Sequence, residues 1–172
     1  FFILTIRAEE NLNLFDPMDV FELEWASDPQ VSPDGKKIVY VRKSNDIMKD
    51  RVRSSLWQID ITGKNHRPIN SGLKNSYSPR WSPDKQKLAF VSNISGSTQI
   101  HMHWLNSGET AVISQLQESP SSLSWSPDGK WISFTKTIDN NSDIYFISKD
   151  GKRVKPIITT EFRDEIAIFK PN

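Results

Sequence analysis

Trp125-Ser126-Pro127-Asp128-Gly129-Lys130-Trp131-Ile132-Ser133-Phe134-Thr135 has two earlier counterparts in the chain. They are Trp81-Ser82-Pro83-Asp84-Lys85-Gln86-Lys87-Leu88-Ala89-Phe90-Val91 and Val31-Ser32-Pro33-Asp34-Gly35-Lys36-Lys37-Ile38-Val39-Tyr40-Val41. The turn proline recurs at 33, 83 and 127, steps of 50 and 44. A second landmark follows each turn: Leu56-Trp57-Gln58-Ile59, Ile100-His101-Met102-His103 and Ile144-Tyr145-Phe146-Ile147, each 44 from the next. A third closes each unit, at Arg67-Pro68-Ile69, Ala111-Val112-Ile113 and Pro156-Ile157-Ile158. One more step of 44 from Pro127 reaches Pro171, and Phe169-Lys170-Pro171-Asn172 reads as the opening of a fourth repeat.

Each unit thus holds four short apolar stretches separated by turns, the length and strand count of a propeller blade. Ile38 with Tyr40, Leu88 with Phe90 and Ile132 with Phe134 alternate with their neighbours, the two-residue period of a strand. The expected fold is all-β, a partial β-propeller of four-stranded antiparallel blades with a short N-terminal helix. It comprises about three blades plus the start of a fourth. The expected boundaries are an N-terminal extension over 1–15 and an incomplete propeller over 16–172. Within it the blades span roughly 27–71, 77–115 and 121–160, and the next opens over 165–172.

The Ser-Pro-Asp-Gly connection has a mechanism. Proline presets φ near −65°, aspartate tolerates the bridge region, and glycine takes the left-handed conformation that returns the chain. Ser32, Ser82 and Ser126 are placed to accept a backbone hydrogen bond at the turn entrance. Lys85 replaces the glycine in the second unit, where a Cβ costs about 1 kcal/mol. Trp81 and Trp125, with Val31 and Phe169 at the equivalent places, are expected to fill the space between neighbouring blades. Ahead of the first unit, Asp16 to Trp25 reads as a short helix, with Asp16 as N-cap, Pro17 first in the helix and Asp19 in its first turn. Val20, Phe21 and Trp25 would pack it onto the blades.

The bulk properties agree with a plain folded domain. The 172 residues carry 22 Lys and Arg against 21 Asp and Glu, so there is no one-signed field for a nucleic acid or an anionic membrane. Cysteine is absent, which excludes disulfides and thiolate metal sites. Phe1-Phe2-Ile3-Leu4-Thr5-Ile6 is too short to span a bilayer; it fits the tail of a signal-peptide apolar region with Ala8 at the cleavage position, or a short strand. The first of these points to a periplasmic or secreted protein, the second leaves the cytoplasm open.

Catalytic chemistry is not evident. A serine hydrolase needs its nucleophile on a sharp Gly-x-Ser-x-Gly turn; Gly96-Ser97 comes nearest and lacks the spacing. The chain is therefore expected to hold no nucleophile, acid or base of a triad, no cofactor and no metal, and to be inactive alone. His101 and His103 would share one face of a strand, but no third ligand accompanies them. Asp139-Asn140-Asn141-Ser142-Asp143 imitates half of a calcium loop and lacks its glycine and its closing glutamate. Asn93-Ile94-Ser95 and Asn140-Asn141-Ser142 match the glycosylation acceptor pattern. Residues 42–53, Arg42 to Arg53, depart from the repeat and read as a lengthened loop between the second and third strands of blade 1. That loop lies on the face opposite the Ser-Pro-Asp turns and is either solvated or in contact with a partner.

The repeated Trp-Ser-Pro-Asp-Gly-Lys motif resembles the propeller repeat of TolB-like proteins and of the prolyl oligopeptidase family. The stretch from Phe21 to Val41, with Asp46-Ile47-Met48-Lys49-Asp50-Arg51 and Ser55-Leu56-Trp57, resembles bacterial acylaminoacyl-peptidase or dipeptidyl-aminopeptidase-like members. The resemblance implies that a C-terminal α/β-hydrolase domain bearing a Ser-Asp-His triad follows the propeller, which covers the active site and admits only short peptides. No catalytic residue carries over to this chain, and neither Glu22 nor Glu24 matches the family's amino-terminus-binding glutamates. The alternative is a non-enzymatic TolB-like scaffold working by protein contacts. An arc of three blades leaves apolar faces at both ends, so the chain by itself is expected to self-associate.

Overall fold

The computed structural model describes residues 16–70, 74–139 and 141–158. Among these residues, twelve strands form three four-stranded antiparallel sheets in simple up-and-down order. Blade 1 holds β1 Glu24–Val31, β2 Lys37–Asp46, β3 Arg51–Asp60 and β4 Arg67–Pro68. Blade 2 holds β5 Ser76–Trp81, β6 Lys87–Ser92, β7 Gln99–Trp104 and β8 Thr110–Val112. Blade 3 holds β9 Pro120–Trp125, β10 Trp131–Ile138, β11 Asn141–Ser148 and β12 Val154–Ile158. The first strand of blade 2, β5, touches both β1 and β9, so the first strands form the inner edge of the arc. The fold class is the one the repeat implies. The proposed leader at Phe1–Ala8 and the fourth repeat at Phe169–Asn172 lie outside the described residues.

The hairpin between the first two strands is built alike in every blade. In blade 1 the Ser32 hydroxyl donates to Asp34 (2.7 Å) and accepts from the Lys37 N–H (3.0 Å). Ser82 does the same with Asp84 and Lys87, and Ser126 with Asp128 and Trp131. Gly35 and Gly129 take φ of +68° and +65°, as the turn chemistry demands. A fourth copy closes the last hairpin of blade 3, where Ser148 pairs with Asp150 and Arg153 and Gly151 has φ +73°. The hydroxyl–carboxylate bond is stronger to the ionised aspartate, and each carboxyl titrates below its usual range. Asp34 and Asp128 are lowered chiefly by Ser32 and Ser126. At Asp84 burial pushes upward, but Ser82, Lys87 and the Gln86 N–H bring the value to about 2.

Lys85 adopts φ +54°, so it bears the strain foreseen for a residue with a Cβ at that place. Its ammonium reaches 3.6 Å to Asp34 of the preceding blade, an exposed ion pair. Such a pair contributes about 0–1 kcal/mol, while the strain costs about 1 kcal/mol. Lys85→Gly is therefore expected to raise the melting temperature slightly, and more at 0.5 M salt than at low salt. A melting temperature that falls at high salt would contradict the strain argument.

The core lies between the blades. Val39, Val41 and Leu56 of blade 1 meet Leu88 and Phe90 of blade 2. The opposite face of β6 and β7, with Ala89, Val91, Ile100 and Met102, meets Ile132, Phe134 and Ile147 of blade 3. Strand β6 is buried on both faces, and its sequence Leu88-Ala89-Phe90-Val91 is correspondingly a continuous apolar run. Each fully buried large side chain contributes about 1.5–3 kcal/mol relative to exposure.

Two local expectations need correction. The segment from Asp16 to Trp25 is not one helix: a single 3-10 turn covers Pro17–Phe21, and Trp25 belongs to β1. The start signals are real, since Asp16 accepts from the Met18 N–H and Asp19 from the Asp16 N–H. What fails is the continuation, because Glu24 and Trp25 pair across to Ser44 and Lys43 of β2. The turn buries none of its residues, and the Val20 carbonyl accepts from Asn45 Nδ2 at 2.5 Å.

Residues 42–53 are likewise not a lengthened loop. They prolong β2 and β3 in unbroken register, Arg42 opposite Ser55 through Asp46 opposite Arg51, and leave only Ile47–Asp50 as the tip. Buried Asp46 secures the end by ion-pairing Arg53 at 2.5 Å, which lowers its carboxyl. Alternating polar residues can ladder as well as apolar ones where a strand pair projects beyond its neighbours. The tip does lie opposite the Ser-Pro-Asp turns.

Candidate functional site

The inner rim is assembled from the three first strands. Each contains a bulge with one non-glycine residue in the left-handed region: Asp28 (φ 48°), Ser78 (φ 53°) and Ser122 (φ 52°). The pairing register shifts there in all three blades. Such bulges re-aim the side chains that follow. In blade 2 the residue re-aimed is Arg80. Its Nη1 donates to both oxygens of Asp28 at 3.0 and 2.8 Å, and its Nε to the Leu123 carbonyl at 3.1 Å. Gln30 also donates to Asp28 at 2.8 Å. One guanidinium therefore ties blade 2 to both neighbours. Sequence reading missed this clamp, although Asp28-Pro29-Gln30 and Ser78-Pro79-Arg80 recur at the same step of 50 as the turns.

The tryptophans before the turns do what was expected of them and more. The Trp81 indole N–H donates to the Gln30 carbonyl of blade 1 at 3.0 Å, and the Trp125 indole to the Arg80 carbonyl of blade 2 at 3.0 Å. Both rings pack against the preceding blade's core. Val31, at the same place in blade 1, is largely exposed; Phe169 lies outside the described residues.

His101 and His103 do share a face of β7, the one turned toward blade 1. His101 is buried and stacked on Phe90 at 5.5 Å between ring centres, and its Nε2 has no partner. His103 Nδ1 lies 2.9 Å from Thr110 Oγ1. Burial lowers both imidazoles, and the charge of Arg67 lowers His103 further. No carboxylate among the described residues hydrogen-bonds to either ring. His66, the third histidine, stacks with Tyr40 and accepts or donates to its hydroxyl at 2.6 Å. Among the described residues no three His, Cys, Asp or Glu side chains gather into a metal-binding group.

The calcium-like segment is a hairpin. Ile138 pairs with Asn141, and Asp139 at φ 48° begins the connecting turn; Asn140 lies outside the described residues. Asn93 uses its side-chain oxygen to accept from the Asn75 N–H at 2.8 Å. No helix of the described residues is long and apolar enough to cross a membrane. What the geometry assembles is a clamped inner rim and a projecting hairpin whose tip residue Met48 is 88% exposed.

Comparison with known proteins agrees. The family model described as the TolB β-propeller domain matches residues 37–172. The uncharacterized peptidase YuxL of Bacillus subtilis is 32% identical over 127 residues, 73% of this chain and 19% of that protein. Dipeptidyl-peptidase 5 of Porphyromonas gingivalis is 30% identical over 135 residues, 78% of this chain and 18% of that protein. The chain thus spans about a fifth of the length of the curated relatives it matches. Among solved structures, Pyrococcus horikoshii acylaminoacyl peptidase superposes with a TM-score of 0.68 at 14% identity, covering 83% of this chain and 26% of that one.

Proposed function

Because this chain belongs to the TolB β-propeller domain family, we propose that it is the non-catalytic propeller portion of a serine peptidase of the acylaminoacyl- or dipeptidyl-peptidase kind. Its role on this reading is to gate short peptides on their way to an α/β-hydrolase domain outside these 172 residues. The observation that carries it is that two matching relatives, each far longer than the matched region, are named as peptidases. The rim clamped by Arg80 supports it, because a gate must hold its aperture while a partner domain is pulled against it. Residues 1–15 are then an extension, read as a leader that directs the protein to the periplasm or outside, and 16–172 the propeller.

The partners follow from the same reading: the hydrolase domain, and short peptides as substrate of the whole protein. The 172-residue chain by itself is expected to self-associate through the blade 1 face bearing Ile38, Tyr40 and Trp57. The equivalent residues Leu88, Phe90 and His101 are buried against a preceding blade. A second reading, a TolB-type scaffold without an enzyme attached, is favoured by the description of the matched family itself.

The full-length gene product separates the two. A serine-directed fluorophosphonate probe is expected to label it at a Gly-x-Ser-x-Gly serine downstream of the propeller and to leave the 172-residue chain unlabelled. A gene that ends after its last blade, with no labelling, would sink the peptidase reading.

A further inference from the structure

The two interblade contacts differ where the repeat makes them comparable. Gln58 and Arg67 of blade 1 are cross-strand partners facing blade 2. The equivalent pair on blade 2 is Met102 and Ala111, facing blade 3. Opposite them, His103 of blade 2 corresponds to Ile147 of blade 3. Between blades 2 and 3, Met102 and Ile147 are fully buried in a continuous apolar core. Between blades 1 and 2 the same three places hold an amide, a guanidinium and an imidazole. They line a cleft of about 210 Å³ together with Lys37.

We propose that this outer cleft between blades 1 and 2 is an oxyanion-binding site, in which Arg67 and Lys37 grip a phosphate or carboxylate group. The inference stands apart from the peptidase reading. Buried polar groups at a blade interface are costly unless something compensates them; Arg67 lies exposed at the mouth, while Gln58 and His103 are buried where the neighbouring interface places Met102 and Ile147. The cleft is also built rather than incidental. Gln58 is only 5% exposed. With its amide oxygen turned to Arg67, it accepts from Nε and Nη2 at 2.6 and 2.9 Å and so fixes the guanidinium plane.

Neither cation meets a counter-charge among the described residues. No carboxylate lines the cleft, and Arg67 and Lys37 have no ion pair among the described residues. For Lys37 the repeat explains why. In blade 2 the equivalent Lys87 pairs with its own turn aspartate, Asp84, at 2.9 Å. In blade 1 that aspartate, Asp34, is taken by Lys85, the lysine that replaces the turn glycine. The ammonium of Lys37 is left for another anion. Burial, and after it the charge of nearby Arg67, lowers His103, so the guanidinium and the imidazole share this cleft.

The test titrates the 172-residue chain at constant ionic strength with inorganic phosphate, with acetate and with chloride, following heat of binding and thermal shift. Saturable binding of phosphate, acetate or both, beyond the chloride response, is expected. Phosphate alone identifies a phosphate group as the ligand; acetate alone or equally identifies a carboxylate. Arg67→Ala and Lys37→Ala should each weaken binding about tenfold or more, the loss of a charge-assisted contact. Lys155→Ala, at the place of Arg67 in blade 3, should change nothing. The triple variant Gln58→Met, Arg67→Ala, His103→Ile copies the neighbouring interface and should fold as well as the parent while losing binding. No saturation beyond chloride, or equal loss in Lys155→Ala, overturns the site.

Discussion

Trp125→Ala is expected to destabilise the protein by about 3–5 kcal/mol, the range for deleting a large buried aromatic. Trp125 is 8% exposed and joins Ala89, Val91 and Ile100 of blade 2 to Ile132 and Phe134 of its own blade. The side chain therefore does not merely fill blade 3; it fills the contact by which blade 3 rests on blade 2. Against a typical total of about 5–15 kcal/mol, such a loss is a large fraction of the whole. For a chain of this size it corresponds to a fall of roughly 10 °C in melting temperature. Trp125→Phe separates the two components of the effect. It keeps an aromatic ring in the space but leaves the Arg80 carbonyl without the indole N–H, which costs about 1–3 kcal/mol. Thermal melts of both variants, read by near-ultraviolet circular dichroism, check the ordering. A Trp125→Ala loss below that of the phenylalanine variant would mean that the ring is not part of the interblade core.

Gly151→Ala is the second large effect, and it arises from close approach between blades. Gly151 has φ +73°, and a Cβ there would lie 2.2 Å from the Ile113 carbonyl oxygen and 3.0 Å from its carbon. Both are backbone atoms, so no flexible side chain can move aside. The left-handed conformation costs about 1–2 kcal/mol, and displacing packed backbone about 1–3 kcal/mol more. The combined expectation is a loss of about 2–5 kcal/mol. Gly35→Ala is the matched control, with φ +68° and open space around the new methyl; it should lose only about 1 kcal/mol. Urea midpoints of the pair decide the matter. Equal losses would show that conformation alone is at stake, and that Gly151 does not hold blade 3 against blade 2.

The turns, the strand alternation and the four-stranded blade were legible in the residues because their causes are local. Proline, aspartate and glycine in succession fix their own backbone, and Ser32, Ser82 and Ser126 bond within five residues. The left-handed Lys85 was foreseeable for the same reason. Local signals also misled where competition was non-local. Asp16 and Pro17 begin a helical turn, but Glu24 and Trp25 are claimed by Ser44 and Lys43 some twenty residues on. Arg42 to Arg53 contain no apolar run, so they read as a loop; in the fold, cross-strand pairing and the Asp46–Arg53 ion pair extend the hairpin.

The sites were less legible than the fold. His101 and His103 drew notice by their spacing, and β7 does place them on one face. What surrounds His103 depends on Gln58 and Arg67 of another blade, which sit in landmarks that mark the repeat and not the cleft. Arg80 finds Asp28 across 52 positions of sequence, through bulges that only pairing registers reveal.

By itself, then, the sequence determined the blade: its period, its four strands, its turn chemistry and the tryptophan that blades 2 and 3 turn toward the blade before. Those features rest on interactions within a few residues and on a repeat that restates them. Tertiary structure alone decided how blades meet. Whether an interface closes as an apolar core, as between blades 2 and 3, or stays polar with Arg67 and Lys37 unpaired among the described residues, as between blades 1 and 2, depends on side chains that different blades supply. Their effect is felt only when the sheets are stacked.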